Sequence, residues 1–360
     1  MSATTRAALW ERLQKAALVE GSLPEAGDAS SPWFIRVMLG FAGWLGALFL
    51  LGFVGAAFAF VFRSAASMVV VGAGACVAAV VIFRAAPKSD FMAQFGLAGS
   101  LAGQALLLFG FAGLFHDFSP TQFAWCFLLQ EAALFVLIPN FLHRVLCALG
   151  GALAANWLLL DAGLAAFAPA AVTAAFLAAW LSEFELDRHG PLLRAGGYGL
   201  AIAAVVTAVL HGGLWLGWLA RQGHGAPVGG DPVEWLGRGA SALVLVAAVV
   251  ALLRREGLAL GSGQGRVGLA AALILGAASF KAPGVGPAVA ILVVGYANGN
   301  RVLAGLGIFA LLGYLSHYYY ALQSTLLFKS GLLVATGIAL LGARFVLHQW
   351  WPEEKESSHA

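Results

Sequence analysis

AASMVVVGAGACVAAVVIF, residues 65–83, runs for nineteen positions without an Asp, Glu, Lys or Arg and is apolar on every side. A helix needs about 20 apolar residues to cross the hydrocarbon of a bilayer, with about 17 the practical lower end. The strand of a membrane barrel would instead alternate apolar and polar residues, so a helix is the spanning element this stretch predicts. Runs of the same kind recur at 33–62, 91–115, 121–138, 145–160, 164–181, 196–219, 236–253, 267–280, 284–297, 302–319 and 325–347. The expectation is an all-α polytopic membrane protein of about twelve transmembrane helices. The runs at 267–280 and 284–297 are short, and ten spans plus a short re-entrant pair at 267–297 is the alternative.

Composition points the same way. Of the 360 residues, 61% are hydrophobic and 10% charged, and the mean hydropathy is +0.87; soluble domains are about half apolar and a quarter charged. No polar block is large enough to fold separately, so a single membrane domain over 33–347 is expected, flanked by a cytoplasmic segment at 1–32 and a cytoplasmic tail at 348–360. Cys76, Cys126 and Cys147 all fall in apolar runs without CxxC spacing, which argues against a disulfide framework or zinc site and reads them as small core residues. Within TTRAALWERLQKAALVEGSLP, Leu9, Leu13 and Ala17 recur every four residues with Glu11, Arg12 and Lys15 on the remaining surface, predicting a short amphipathic helix ended by Gly21 and Pro24. No short hydrophobic region with a cleavage site precedes the first run, so a cleaved signal peptide is not expected.

Lys and Arg concentrate in cytoplasmic loops. With the N-terminus inside, Arg6, Arg12, Lys15, Arg36, Arg84, Lys88, Arg144, Arg188, Arg194, Arg254, Arg255, Arg266, Arg301, Arg344 and Lys355 fall on the cytoplasmic side, and only Arg63, Arg221, Arg238 and Lys281 outside. One missing span mid-chain would swap every later loop and erase that asymmetry. An even number of spans with both termini cytoplasmic follows, and a hairpin at 267–297 returns to the same side in either version.

A charge at the bilayer centre costs at least ~2.5–3.5 kcal/mol on insertion scales, so each ionisable group inside a run needs a partner, a wet cavity or a function. Glu131, after Gln130 in TQFAWCFLLQEAALFVLIPN, is the only carboxylate near mid-span. It either takes part in transport or proton relay, or is neutralised by protonation or by a buried pair with Lys329 or Arg301. Lys281 precedes PGVGP, an interruption of the kind that breaks membrane helices beside ligand sites. His317, Tyr318, Tyr319 and Tyr320 close the eleventh run, as an aromatic belt or, for at least one of three consecutive tyrosines, turned inward. Lys329 lies one turn into the twelfth run and either snorkels to the interface or meets Glu131. Asn156 with Asp161, His211, and Gln94 with Gln104 are weaker candidates, uncharged or near run ends. GSGQGRVG at 261–268 lacks the preceding strand and the GK[ST] of a phosphate loop, and reads as a flexible linker. Glycine pairs three or four apart, such as Gly99 and Gly103, read as helix packing.

YLSHYYYALQSTLLFKSGLL, preceded by GNRVLAGLGIFALLG, resembles the C-terminal signature of the bacterial multipass proteins catalogued as domain of unknown function 4401. LWERLQKAALVEGSLP followed by PWFIRVMLGFAGWLGALFLLGF is similar to that family's start, so the resemblance covers essentially the whole chain. It implies a bacterial inner-membrane location and neighbouring genes for GDYXXLXY-type proteins, and no activity.

No catalytic, cofactor or metal site is expected: HExxH, GxSxG, paired aspartates and a phosphate-binding loop are all missing from the sequence. Nothing points to nucleic acid. The small loops favour a non-catalytic subunit working with a membrane or periplasmic protein partner. The alternative is a transporter or channel-like protein for a small or ionic solute, using Glu131, Lys281 and Lys329. An intramembrane enzyme acting on lipid is the least favoured class.

Overall fold

The computed structural model describes residues 3–16, 59–85, 89–115, 117–183, 190–211, 232–280, 282 and 284–321, with scattered single positions elsewhere. Among them are eleven α-helices and no strand: α1 (Ala3–Lys15), α2 (Ala65–Ala85), α3 (Asp90–Leu114), α4 (Pro120–Leu137), α5 (Phe141–Asp161), α6 (Ala168–Leu181), α7 (Gly190–His211), α8 (Pro232–Arg255), α9 (Gly263–Ser279), α10 (Val285–Ala297) and α11 (Arg301–Ala321). Six of them, α2 to α5, α7 and α8, are long and apolar enough to cross a membrane. Each apolar run from 65–83 to 302–319 falls on a helix, the run at 196–219 as far as His211 with its remainder outside the described residues, and the runs at 33–62 and 325–347 lie almost wholly outside them.

The helix starts follow local chemistry. Ser119 opens α4 with a reciprocal capping box to Gln122 and Pro120 at the first position. Asn140 caps α5, its Oδ1 accepting from the His143 amide at 3.0 Å, so this helix begins four residues before the apolar run at 145. Ser262 Oγ accepts from Gly265 N at 3.0 Å. GSGQGRVG is therefore not a linker: Gly263 onward is the first turn of α9, and a Cβ on Gly265 would stand 2.4 Å from the Ala259 carbonyl oxygen. In α1, Leu13 is half-buried while Glu11, Arg12 and Lys15 are exposed, as amphipathicity requires, but the helix stops at Lys15, before Gly21.

Large apolar side chains lie exposed on nearly every long helix, among them Val70, Phe109, Leu129, Leu243 and Phe309. Such a surface suits hydrocarbon, where it carries no penalty. With lipid giving helices no hydrophobic reason to associate, close packing of small residues holds them. A Cβ on Gly199 of α7 would sit 2.4 Å from the Val145 carbonyl oxygen of α5, and one on Gly103 of α3 would sit 2.9 Å from the Gly72 carbonyl oxygen of α2; Gly99 faces open space. The largest core cluster joins Phe176 and Trp180 of α6, Ala201 and Ala204 of α7, Leu252 of α8, Ile291 and Val294 of α10 and Leu303 of α11.

Side-chain contacts fix which helix ends lie together. Arg84 of α2 donates to the Leu137 carbonyl (3.2 Å) and Arg144 of α5 to the Phe135 carbonyl (3.1 Å), so two cations cover the open C-terminal carbonyls of α4. Phe141 packs edge-on against Tyr198, Tyr198 Oη donates to Asn300 Oδ1 at 3.0 Å, and Arg255 donates to Asn298 Oδ1 at 3.1 Å. Arg84, Arg144, Arg255 and Arg301 thus border one end of the bundle. The other end is tied by Thr121 donating to Asp161 (2.8 Å) and by Arg238 of α8 donating to the Phe280 carbonyl at the end of α9 (2.8 Å).

That last contact explains the short pair α9 and α10. Arg238 stands six residues into α8, so the α9–α10 turn sits about 9 Å short of the α8 N-terminus, at ~1.5 Å per residue. Arg238 also pairs with Glu234 and lies over the Trp235 ring, and its guanidinium satisfies a carbonyl that a break at this depth would orphan. From there α10 returns as a helix of only 13 residues, buried over most of its length from Val285 to Gly295.

Candidate functional site

Buried polar side chains converge between α2, α3, α4 and α5. Glu131, twelfth residue of α4, is 4% exposed. Its carboxyl lies against the glycine face of α5: Cδ and Oε1 are each 3.2 Å from the point a Cβ on Gly150 would occupy. One turn earlier on α5 stands the buried Cys147. Cys147 Sγ is 3.2 Å from His143 Nδ1. The other ring nitrogen, Nε2, is 2.8 Å from Ser100 Oγ on α3, and that hydroxyl accepts from Gln104 Nε2 at 3.2 Å. Four side chains thus form one continuous line, Gln104–Ser100–His143–Cys147, and the Glu131 carboxyl lies against α5 one turn beyond Cys147. All five are buried.

The surroundings hold this line in place. Phe83 of α2 packs edge-on against the His143 ring at 5.8 Å between centroids. Cys76 of α2 donates weakly to the Ser100 carbonyl (3.9 Å). Arg84 and Arg144 are engaged by the α4 carbonyls. Among the described residues no cation pairs with Glu131, and no group of three or more His, Cys, Asp and Glu is arranged to hold a metal ion. An apolar groove of about 530 Å³ opens near Ser119 at the opposite end and is walled by Phe118, Phe123, Phe127, Leu153 and Trp157. It ends at Phe127, one turn before Glu131, whose ring touches the same Gly150 position at 3.1 Å.

The polar residues singled out from sequence fare unequally. Gln104 is in the line, and Glu131 lies one turn beyond its Cys147 end. Gln130 is half-buried with Nε2 unpartnered, and Asn156 has Oδ1 unpartnered, so neither joins it. Asp161 bonds Thr121 and His211 bonds the Thr207 carbonyl (2.9 Å). Arg301 is exposed at the start of α11, whose neighbours are α10 and α7. It is not the partner of Glu131. Lys281 and Lys329 lie outside the described residues, as do the side chains of His317, Tyr318, Tyr319 and Tyr320, whose backbone belongs to α11. Ser100, His143 and Cys147 carried no functional mark in the sequence. The asparagine at 140 ahead of an apolar pair was a helix-start signal that would have drawn His143 into α5.

No curated protein and no solved structure matches the chain. The family described as Domain of unknown function (DUF4401) matches residues 32–350, nearly the whole chain, and the protein belongs to that family.

Proposed function

We propose that the protein is a multi-pass inner-membrane protein of bacteria, both termini cytoplasmic, which moves a small or ionic solute with Glu131 as its proton- or cation-binding group. One observation carries this reading: a carboxyl buried inside a membrane-length helix, with no cationic partner among the described residues, beside a buried polar line. A carboxylate so placed must hold a proton or a cation, and a group that can exchange either is what coupled transport needs. The groove ending at Phe127 supplies an approach from the opposite end. The bordering of one bundle end by Arg84, Arg144, Arg255 and Arg301 supports a cytoplasmic assignment for that end.

The rival reading, a non-catalytic subunit that docks on a membrane partner, draws on the short loops and gives no reason for the polar line. Glu131→Gln separates the two. Purified into liposomes under an imposed pH or cation gradient, the wild type should dissipate the gradient and the variant should not, at equal abundance and thermal stability. A variant that is mainly lost from the membrane, or a wild type that leaves the gradient intact until a stoichiometric partner is added, overturns the transport reading.

A further inference from the structure

Four aromatic rings wall the groove near Ser119. Phe118 stands just ahead of α4, Phe123 and Phe127 lie one turn apart on it, and Trp157 is on α5, with the small Ala112 of α3 and Ala154 of α5 leaving room between them. The volume of about 530 Å³ is in the range of sites that enclose a drug-sized molecule. From Ser119 to Phe127 the groove runs about 12 Å along α4, at ~1.5 Å per residue. Its inner end owes its shape to Gly150. Phe127 Cζ stands 3.1 Å and Glu131 Oε1 3.2 Å from the one point a Cβ on Gly150 would occupy, so the ring end and the carboxyl are neighbours. That carboxyl is buried, and among the described residues no cation pairs with it. No Lys or Arg lines the groove. The mouth is acidic: the exposed Asp117 directly precedes Phe118, and the exposed Asp161 lies one turn beyond Trp157, bonded to Thr121.

We infer that this groove binds a lipophilic organic cation, its apolar body against Phe118, Phe123 and Trp157 and its cationic centre at Phe127, beside the Glu131 carboxyl. The inference rests on Glu131 being the ion-binding group of the proposed transport, and it names the class of solute carried. The chemistry is complementary along the whole groove. An aromatic face attracts a cation within about 6 Å of its centroid, and Trp does so best. A carboxylate next to the innermost ring adds a full opposite charge, little screened at this depth. Asp117 and Asp161 at the mouth favour the approach of a cation and oppose that of an anion. A phospholipid could fill the groove with an acyl chain, but it would bring its phosphate to those two carboxylates and leave Glu131 without a partner. A hydrated metal ion fits no better, because the lining side chains offer only the Ser119 hydroxyl as an oxygen ligand in place of its water.

The test compares tetraphenylphosphonium with tetraphenylborate, an anion of nearly the same size and surface, on the full-length protein in nanodiscs of zwitterionic lipid, counting ligand bound above that of protein-free discs. The phosphonium should bind saturably and the borate should not. Glu131→Gln should weaken phosphonium binding about 100-fold, the scale of truncating one partner of a buried charge pair. Trp157→Ala should weaken it about 10-fold through loss of a cation–π face, and Trp157→Phe should restore most of it. Because Trp157 is exposed, its variants keep the test decisive if Glu131→Gln does not fold. Equal binding of the two ions, phosphonium binding that Trp157→Ala leaves unchanged, or no phosphonium binding by a wild type that still dissipates a pH gradient through Glu131 overturns the organic-cation site and leaves the transport reading standing. Binding of neither ion, with a phospholipid retained one to one in detergent, assigns the groove to lipid and likewise overturns the inference. A wild type that dissipates no gradient, with or without the phosphonium, overturns transport itself.

Discussion

Ser100 and His143 meet across the α3–α5 interface with Oγ 2.8 Å from Nε2, forty-three positions apart in sequence, and neither side chain is more than 1% exposed. The pair is the midpoint of a buried polar line in a bundle whose other contacts are nearly all apolar. A buried network of this kind stabilises when every member is satisfied and costs heavily when one is removed.

His143→Ala should therefore be among the most damaging single substitutions. It leaves Ser100 and Cys147 without their shared partner and opens a cavity beside Phe83, for a loss of about 2–4 kcal/mol. His143→Gln, which keeps a polar end, should lose less. Denaturant midpoints in mixed detergent micelles decide the matter, and an alanine variant within about 0.5 kcal/mol of wild type would show that the line is not structural.

Two glycines separate close packing from chance spacing. Gly199→Ala places a methyl 2.4 Å from the Val145 carbonyl oxygen and should cost about 1–3 kcal/mol through forced separation of α5 and α7. Gly99→Ala enters open space and should be neutral or gain up to about 1 kcal/mol from helix propensity. Thermal unfolding of the two variants side by side is the measurement, and equal effects would refute the close approach.

Removing the Arg238 guanidinium uncaps the Phe280 carbonyl at the recessed α9–α10 turn. Arg238→Ala should cost about 1–3 kcal/mol and Arg238→Lys less, since a lysine can reach the carbonyl but not the Glu234 carboxylate at the same time. Hydrogen exchange at residues 278–286 should rise in the alanine variant. Unchanged exchange there would mean that the turn holds itself.

Reporter fusions after residues 189 and 228 should lie on opposite sides of the membrane, 189 in the cytoplasm, because α7 runs away from the basic end. The same side at both positions would refute the even-span topology.

Glu131 was legible in the sequence because a carboxylate in an apolar run stands out against its neighbours. Gln104 was visible for the same reason, with less contrast. Their convergence was not. His143 fell just outside a run judged to begin at 145, Ser100 is an ordinary small residue among glycines and alanines, and Cys147 reads as a core filler anywhere in a membrane helix. Of the alternatives open for Glu131, a pair with Arg301 is ruled out because α11 packs on α10 and α7. GSGQGRVG was misread because four glycines in eight residues outweighed a serine cap.

The sequence by itself determined the helical class, the placement of nearly every described helix and the end on which basic residues gather. Hydropathy and capping act within one helix and its flanks, so they survive in a linear reading. Only the tertiary structure decided which polar groups meet. Helices apolar on every side carry no periodicity that states how they are turned, and their rotation and depth are set by backbone approaches such as Gly199 on Val145 and Gly103 on Gly72. A hydrogen bond between Ser100 and His143 depends on two such rotations at once, and no local pattern in the sequence records that.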